Sequence, residues 1–296
     1  MSFGRRRLQV IVTTTTPTPD LGRFGVWRHA YGLTPEFVST LESFGYGTFW
    51  LGGSPPADLK IPEQVLDASS TLVVATGITN IWTAPAAEVA ESFHRLEAKH
   101  PGRFLLGIGV GHPEASQDVY RKPYDAVVEY LDVLDDAGVP ASRRVLAALG
   151  PRMLRLAADR SAGAHPYLTT PQHTREAREL VGPGVLLAPE QKFVLDTDPV
   201  AAREIGRPPV ANPYLNLRNY VSNLKRLGFT DADVANGGSD AVIDALVAHG
   251  DAVTVAARMH DHLDAGADHV CVQSLPPTGD ALPPLGELAT ALGLRG

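Results

Sequence analysis

The chain is short of cysteine, of charge and of long apolar runs, and each shortage excludes something. Cys271 is the only cysteine in 296 residues, so no intrachain disulfide can form, which fits a reducing compartment. No stretch approaches the roughly 20 apolar residues that span a bilayer. The triplet Arg5, Arg6, Arg7 is followed by a mostly apolar run of only five residues, 8–12, and then by four threonines, too short for the apolar core of a secretory leader. The expectation is a cytoplasmic protein. Only 20% of residues are charged and the net charge is −7. Such a chain lacks the clustered Lys and Arg that nucleic acid or an anionic membrane requires, so neither is expected as a partner. Two catalytic signatures are also missing: the H-E-x-x-H of zinc proteases and the G-x-S-x-G of α/β-hydrolases.

What is present is repetition. With 44% hydrophobic residues the chain can bury a full core. Residues 1–20 are rich in Thr and Pro and read as a loose tail, leaving 21–296 as a single domain. From Phe24 onward a short apolar run, a polar loop and a segment of helical spacing recur. Strands are expected over 24–27, 48–51, within 73–81, and over 104–108, 145–149, 166–168, 193–195 and 269–272. The first helix has Thr34 as N-cap and Pro35 at its first position, with Phe37, Val38, Leu41 and Phe44 on one face. Further helices start near Pro62, at Pro123, at Pro151 and at Pro171, the last capped by Thr170. A long helical stretch over 199–266 is broken at 208–213 and 237–238, and a short helix over 285–294 closes the chain. Strands apolar on both faces indicate a parallel sheet covered by helices. Eight units suit an α/β fold of the (β/α)8 TIM-barrel type with a helical insertion between strands seven and eight. The pattern alone leaves a doubly wound open sheet in play.

Three motifs bear on chemistry. Gly107, Gly109 and Gly111 follow the fourth strand but do not open directly into a helix, so a dinucleotide fingerprint fits poorly. They suit a turn, or the wall of a flat cofactor kept clear of side chains. Gly150, Pro151, Arg152 and Met153 stand where a strand meets a helix. They read either as a tight turn or as an anion site built from helix amides and a guanidinium. Gly77 interrupts the third strand, as at a bulge or a close backbone approach. His260, His262, Asp264 and His269 look metal-like, but residues two apart on a helix diverge, and a solvated face is the expected reading. Cys271 is expected in the core.

Together the segments 41–47 with Phe49 and Trp50, 75–78, 100–110, 145–154, 163–171 and 265–270 resemble the luciferase-like superfamily, in particular its coenzyme F420-dependent branch. The resemblance covers residues 22–275. It implies a TIM barrel holding a deazaflavin or FMN ring at its C-terminal mouth. It implies a bulge with a non-proline cis peptide at Gly77–Ile78, with Thr79 and Asn80 beyond it and Gly109 and Gly111 beside the ring. The family's phosphate-binding turn falls on Gly150, Pro151, Arg152 and Met153, and a neighbouring cofactor loop on Tyr167, Leu168, Thr169 and Thr170. The implied activity is hydride transfer between F420 and a small organic substrate. An FMN monooxygenase and a non-catalytic flavin-binding barrel are the alternatives, and a homodimer is implied by resemblance only. Two departures stand out. Gly52 and Gly53 occupy the place where some relatives carry a His, and Gly111-His112 stands where others have Ser-His. Because βα loops open into the mouth, His112, with His29 second, is the expected proton-transfer residue.

Overall fold

The computed structural model describes residues 16–111 and 122–294. Strands and helices alternate: β1 (Phe24–His29), α1 (Pro35–Ser43), β2 (Thr48–Gly52), α2 (Lys60–Asp67), β3 (Val73–Gly77), β4 (Thr79–Asn80), α3 (Ala86–Lys99), β5 (Phe104–Gly109), α4 (Pro123–Asp136), β6 (Arg144–Leu146), α5 (Pro151–Arg160), β7 (Gly163–Ala164), α6 (Pro171–Val181), β8 (Leu186–Leu187) and β9 (Glu190–Leu195). An insertion follows, made of α7 (Pro199–Ala211), α8 (Arg218–Arg226), α9 (Asp231–Val234), α10 (Asp240–Leu246), β10 (Val247–Gly250) and α11 (Ala252–Asp264). β11 (Val270–Ser274) and α12 (Leu282–Ala291) end the described chain. Among the described residues no helix is long and apolar enough to cross a membrane.

The strands pair in the order β10-β9-β11-β1-β2-β3-β5-β6-β7-β8, with β4 on β5, and every ladder is parallel. β8 and β9 are one bent strand interrupted at Ala188 and Pro189, so the order closes on itself. The amides of Ala188 and Glu190 donate to Ala164 and Pro166, while that of Cys271 donates to Pro189. The result is a barrel. Side chains alternate across its wall. Val26, Phe49, Leu51, Val74, Phe104 and Leu106 face outward and pack with the helices. Trp27, Trp50, Ala75, Leu105, Val145 and Cys271 share a separate core inside. Helix starts follow the sequence signals. Thr34 Oγ1 accepts from Phe37 N at 3.1 Å, and Thr170 Oγ1 accepts from His173 N at 3.3 Å.

Several expectations need correction. The sixth strand lies at Gly163–Ala164, ahead of 166–168, because the segment 165–168 is spent reaching the mouth. The fifth is shorter than 145–149, spanning Arg144–Leu146. The seventh starts at Leu186 and carries Glu190, Gln191 and Lys192. α7 continues through Pro208 and Pro209 to Ala211, so no break falls at 208. The prolines occupy its last turn, where their missing amides leave the carbonyls of Glu204 and Ile205 without the usual i+4 donors, yet the helix continues to Ala211. The stretch read as helical to 266 contains β10, whose Val247 and Ala248 are buried against β9. His262 is fully buried, where a solvated face was expected. Its Nδ1 meets Thr174 Oγ1 at 2.8 Å and its Nε2 meets Gln191 Oε1 at 2.9 Å.

Candidate functional site

The strand ends at the C-terminal mouth form two unlike walls. One is built on glycines. His29 pairs with Gly52, and Gly52 with Gly77, so one row across β1, β2 and β3 holds two glycines. Next comes the bulge. Ala75 pairs with Leu105 and Thr79 with Ile108, so four steps on one strand oppose three on the other. The Gly77–Ile78 peptide within it is cis. Thr76 mends the interrupted ladder: its Oγ1 takes the Gly107 amide at 2.8 Å and donates to the Gly107 carbonyl at 2.8 Å. Close approach explains the glycines of β5. A Cβ on Gly107 would stand 1.8 Å from Thr76 O, and one on Gly109 would stand 2.9 Å from both Ile78 Cγ1 and Ala147 Cβ. Gly111 has φ +57° and faces Asn80 Nδ2. The indole of Trp27 lies across the row, because a Cβ on Gly52 would be 2.3 Å from Trp27 Cη2 and one on Gly77 would be 2.5 Å from Trp27 Nε1.

The opposite wall is polar and was missed by sequence reasoning. Lys192 and Glu190 stand two apart on β9, hence on one face, and both are buried inside the barrel. Lys192 Nζ donates to Glu190 Oε1 at 3.1 Å, to Tyr167 Oη at 2.7 Å and to Gln273 Oε1 at 3.0 Å. Tyr167 donates to the same Gln273 oxygen at 2.9 Å. Glu190 Oε2 accepts the amide of Leu168, which has φ +53°, and so holds the 167–170 loop. Burial drives the Glu190 carboxyl up and the Lys192 ammonium down, each opposed by the charge of the other. Tyr214, from the insertion, packs 5.4 Å from the Tyr167 ring. The signal available in the sequence was the E-Q-K triplet directly before an apolar strand: two opposite charges on one face of a barrel strand demand a buried partner set.

The structure brings most expected residues to this mouth. Ile78, Thr79 and Asn80 follow the cis peptide, and Asn80 pairs with Gly109. Gly150 is the N-cap of α5 and offers no side chain, and Pro151 has no amide, so Arg152 and Met153 carry the first free N–H groups. The Arg152 side chain is 72% exposed, 3.9 Å from Asp125, with its guanidinium 3.6 Å from the Tyr124 ring centroid. Thr169 is buried with Oγ1 unpartnered, whereas the Thr170 hydroxyl already caps α6. His29 stands exposed at the end of β1 with its ring edge-on to Trp27 at 4.9 Å. His112 lies outside the described residues.

The fully buried His165, His262 and His269 are neutral. His165 stacks on Trp50 at 4.2 Å and donates Nδ1–H to Ala188 O at 2.7 Å, leaving Nε2 buried and unpartnered. His269 donates to Gly22 O and accepts from Trp50 Nε1 at 3.0 Å. Burial holds His165 and His269 at about 4 and His262 at about 3. For a base whose folded value is depressed, the unfolded chain binds protons first. Stability should therefore fall as pH drops from about 6.5 toward 4, by up to about 1.4 kcal/mol per pH unit for each ring. Denaturant unfolding at pH 7, 6 and 5 measures this. A flat profile would contradict the neutral assignments.

Comparison with known proteins fits this architecture. The sequence model of the luciferase-like monooxygenase family matches residues 9–138. Three solved structures illustrate the fold match. An F420-dependent secondary alcohol dehydrogenase in complex with an F420–acetone adduct is 15% identical, with TM-score 0.70, covering 93% of this chain and 99% of that one. The coenzyme F420-dependent tetrahydromethanopterin reductase of Methanopyrus kandleri is 17% identical, with TM-score 0.67, covering 91% and 98%. A type II Baeyer–Villiger monooxygenase of Pseudomonas putida, the oxygenating constituent of 3,6-diketocamphane monooxygenase, in complex with FMN, is 14% identical, with TM-score 0.67, covering 90% and 96%. The first part of the chain thus resembles the luciferase-like family, and the barrel as a whole shares its fold with these three structures. At these identities the likeness carries the fold and not the cofactor.

Proposed function

We propose that this chain is an F420-dependent oxidoreductase acting on a small organic molecule, with residues 21–296 as one catalytic domain. The observation that carries the reading is the bulge at Gly77–Ile78 in a mouth wall of small residues, Gly52, Gly77, Gly109 and Ala147, over which the Trp27 indole and the Ile78 side chain lie flat against the backbone. A flat ring needs such a cradle. Orphaned donors fit the rest of a phosphate-bearing cofactor: the amides of Arg152 and Met153 and the buried Thr169 hydroxyl. The deazaflavin, when bound, would supply the hydride-carrying ring. Gly77 to Asn80, Gly109 and Gly111 would support that ring, while Gly150 to Met153, Tyr167, Thr169 and Thr170 would hold the remainder. His112, which follows β5 in the sequence, is the proposed proton-transfer group, with His29, from the end of β1, second. FMN is the second reading, favoured by the same fold holding FMN in the Pseudomonas putida enzyme.

Titration of the purified protein with F420 and with FMN, read by fluorescence, decides between them. Binding of neither defeats both. Arg152→Ala should weaken the preferred cofactor roughly tenfold at low salt, a loss of about 1.4 kcal/mol. Raising the salt should shrink the difference, because an exposed charge is screened. An unchanged dissociation constant at low salt would remove Arg152 from the site.

A further inference from the structure

Two buried side-chain nitrogens are left without partners at one place beside Gly77. Trp27 comes from β1 and His165 directly follows β7, and they are 4% and 1% exposed. A Cβ built on Gly77 would stand 2.5 Å from Trp27 Nε1 and 3.4 Å from His165 Nε2. Both distances start from one point, so the two nitrogens are no farther apart than two hydrogen bonds laid end to end. Neither has a hydrogen-bond partner among the described residues, each other included. Their roles are opposite. An indole N–H only donates. The Ala188 carbonyl, 2.7 Å from His165 Nδ1, only accepts, so the ring proton sits on Nδ1 and Nε2 presents a lone pair. Burial keeps that ring neutral. A donor and an acceptor at one spot select the group that joins them. A carbonyl would satisfy only the indole and an ammonium only the imidazole, whereas an O–H oxygen satisfies both. Trp50 stacks on His165 at 4.2 Å and the Tyr167 ring lies 4.9 Å from that of Trp27, so aromatic rings flank both partners. Such a spot suits a single water, and buried waters commonly join polar groups that lack other partners.

We infer that one water molecule is bound between Trp27 Nε1 and His165 Nε2 beside Gly77, and that it holds the indole in the orientation that covers Gly52 and Gly77. The water accepts from Trp27 and donates to His165. An indole turned over about its Cβ–Cγ bond would carry Nε1 away from the water and lose that bond. His165 therefore acts through the water as a positioning residue for the glycine wall. The absence of a side chain at Gly77 leaves the two nitrogens free to share a small partner.

A high-resolution crystal structure of the cofactor-free protein should show one oxygen about 2.7–3.2 Å from each nitrogen. Nitrogens with no oxygen between them, or moved into direct contact, overturn the inference. In solution the three tryptophans of the chain give three indole N–H signals after isotope labelling, and Trp27→Phe identifies the one that belongs to Trp27. In the wild type that signal should show a magnetisation-transfer cross-peak to water. His165→Asn keeps a side-chain N–H for the Ala188 carbonyl and removes the Nε2 acceptor. The cross-peak should then be lost, and a structure of the variant should show the indole turned from Gly77. No cross-peak in the wild type, or one of wild-type strength in folded His165→Asn, overturns the inference. The two wild-type measurements decide the matter even where the variant does not fold. Neither uses a cofactor, so failure of F420 and FMN to bind would defeat the proposed function and leave the water site standing.

Discussion

Lys192→Met should destabilise the protein by about 3–5 kcal/mol near pH 8 and by much less near pH 5, since removing one partner of a buried pair strands the other charge. The stranded group is Glu190, whose carboxyl burial already pushes up and whose opposing ammonium is now gone. In the folded variant it stays protonated, while in the unfolded chain it ionises above about 4.5. The folded state then binds the extra proton. Stability is full below about 4.5 and declines as pH rises toward the folded value, at up to about 1.4 kcal/mol per pH unit. Urea unfolding of wild type and variant at pH 5, 6.5 and 8 reads the slope directly. A loss of the same size at all three values would mean that Glu190 is not the stranded charge. Glu190→Gln with Lys192→Met should recover most of the stability, because the cost of desolvating a charge is gone and the glutamine oxygen still accepts the Leu168 amide.

Gly77→Val should abolish most cofactor binding. Its Cβ would stand 2.5 Å from Trp27 Nε1 and 3.1 Å from Trp27 Cδ1, and the indole cannot retreat toward Gly52, which it already crosses. Overpacking of this kind costs about 1–3 kcal/mol. If that cost is met by tilting Trp27 into the mouth, affinity drops about 5- to 150-fold. Circular dichroism should still show a folded α/β protein, and the fluorescence titration should show the loss. Wild-type affinity in a folded variant would detach the bulge from the cofactor.

Why the sequence revealed the bulge but hid the polar wall follows from the forces at each place. Gly77 is a backbone requirement, and a glycine inside an apolar strand is visible in one dimension. The outer faces of β1, β2 and β5 bury against helices, and their apolar runs marked them within a residue or two. Beyond each other, Lys192 and Glu190 are satisfied by residues far along the chain, Tyr167, Gln273 and the Leu168 amide, so local patterning gave them no place in the site. His165 was passed over for the same reason, since its burial comes from stacking on Trp50 of another strand. β10 and the proline-bearing turn of α7 were misread because tertiary contact with β9 overrides propensity there.

The bend at Ala188 and Pro189 has a bearing on engineering. Past that point β9 leaves β7, and the place beside it is taken by β10 from the insertion, with Val247 opposite Lys192 and Gly250 opposite Leu195. A shortened chain lacking residues 199–250 would not simply lose an appendage. It would leave the amides and carbonyls of residues 192–195 as a bare strand edge next to apolar Phe193 and Val194, a template for pairing between molecules. Minimised versions of this barrel should therefore be selected for monodispersity as well as for fold, and should keep 247–250 even where the helices before it are replaced.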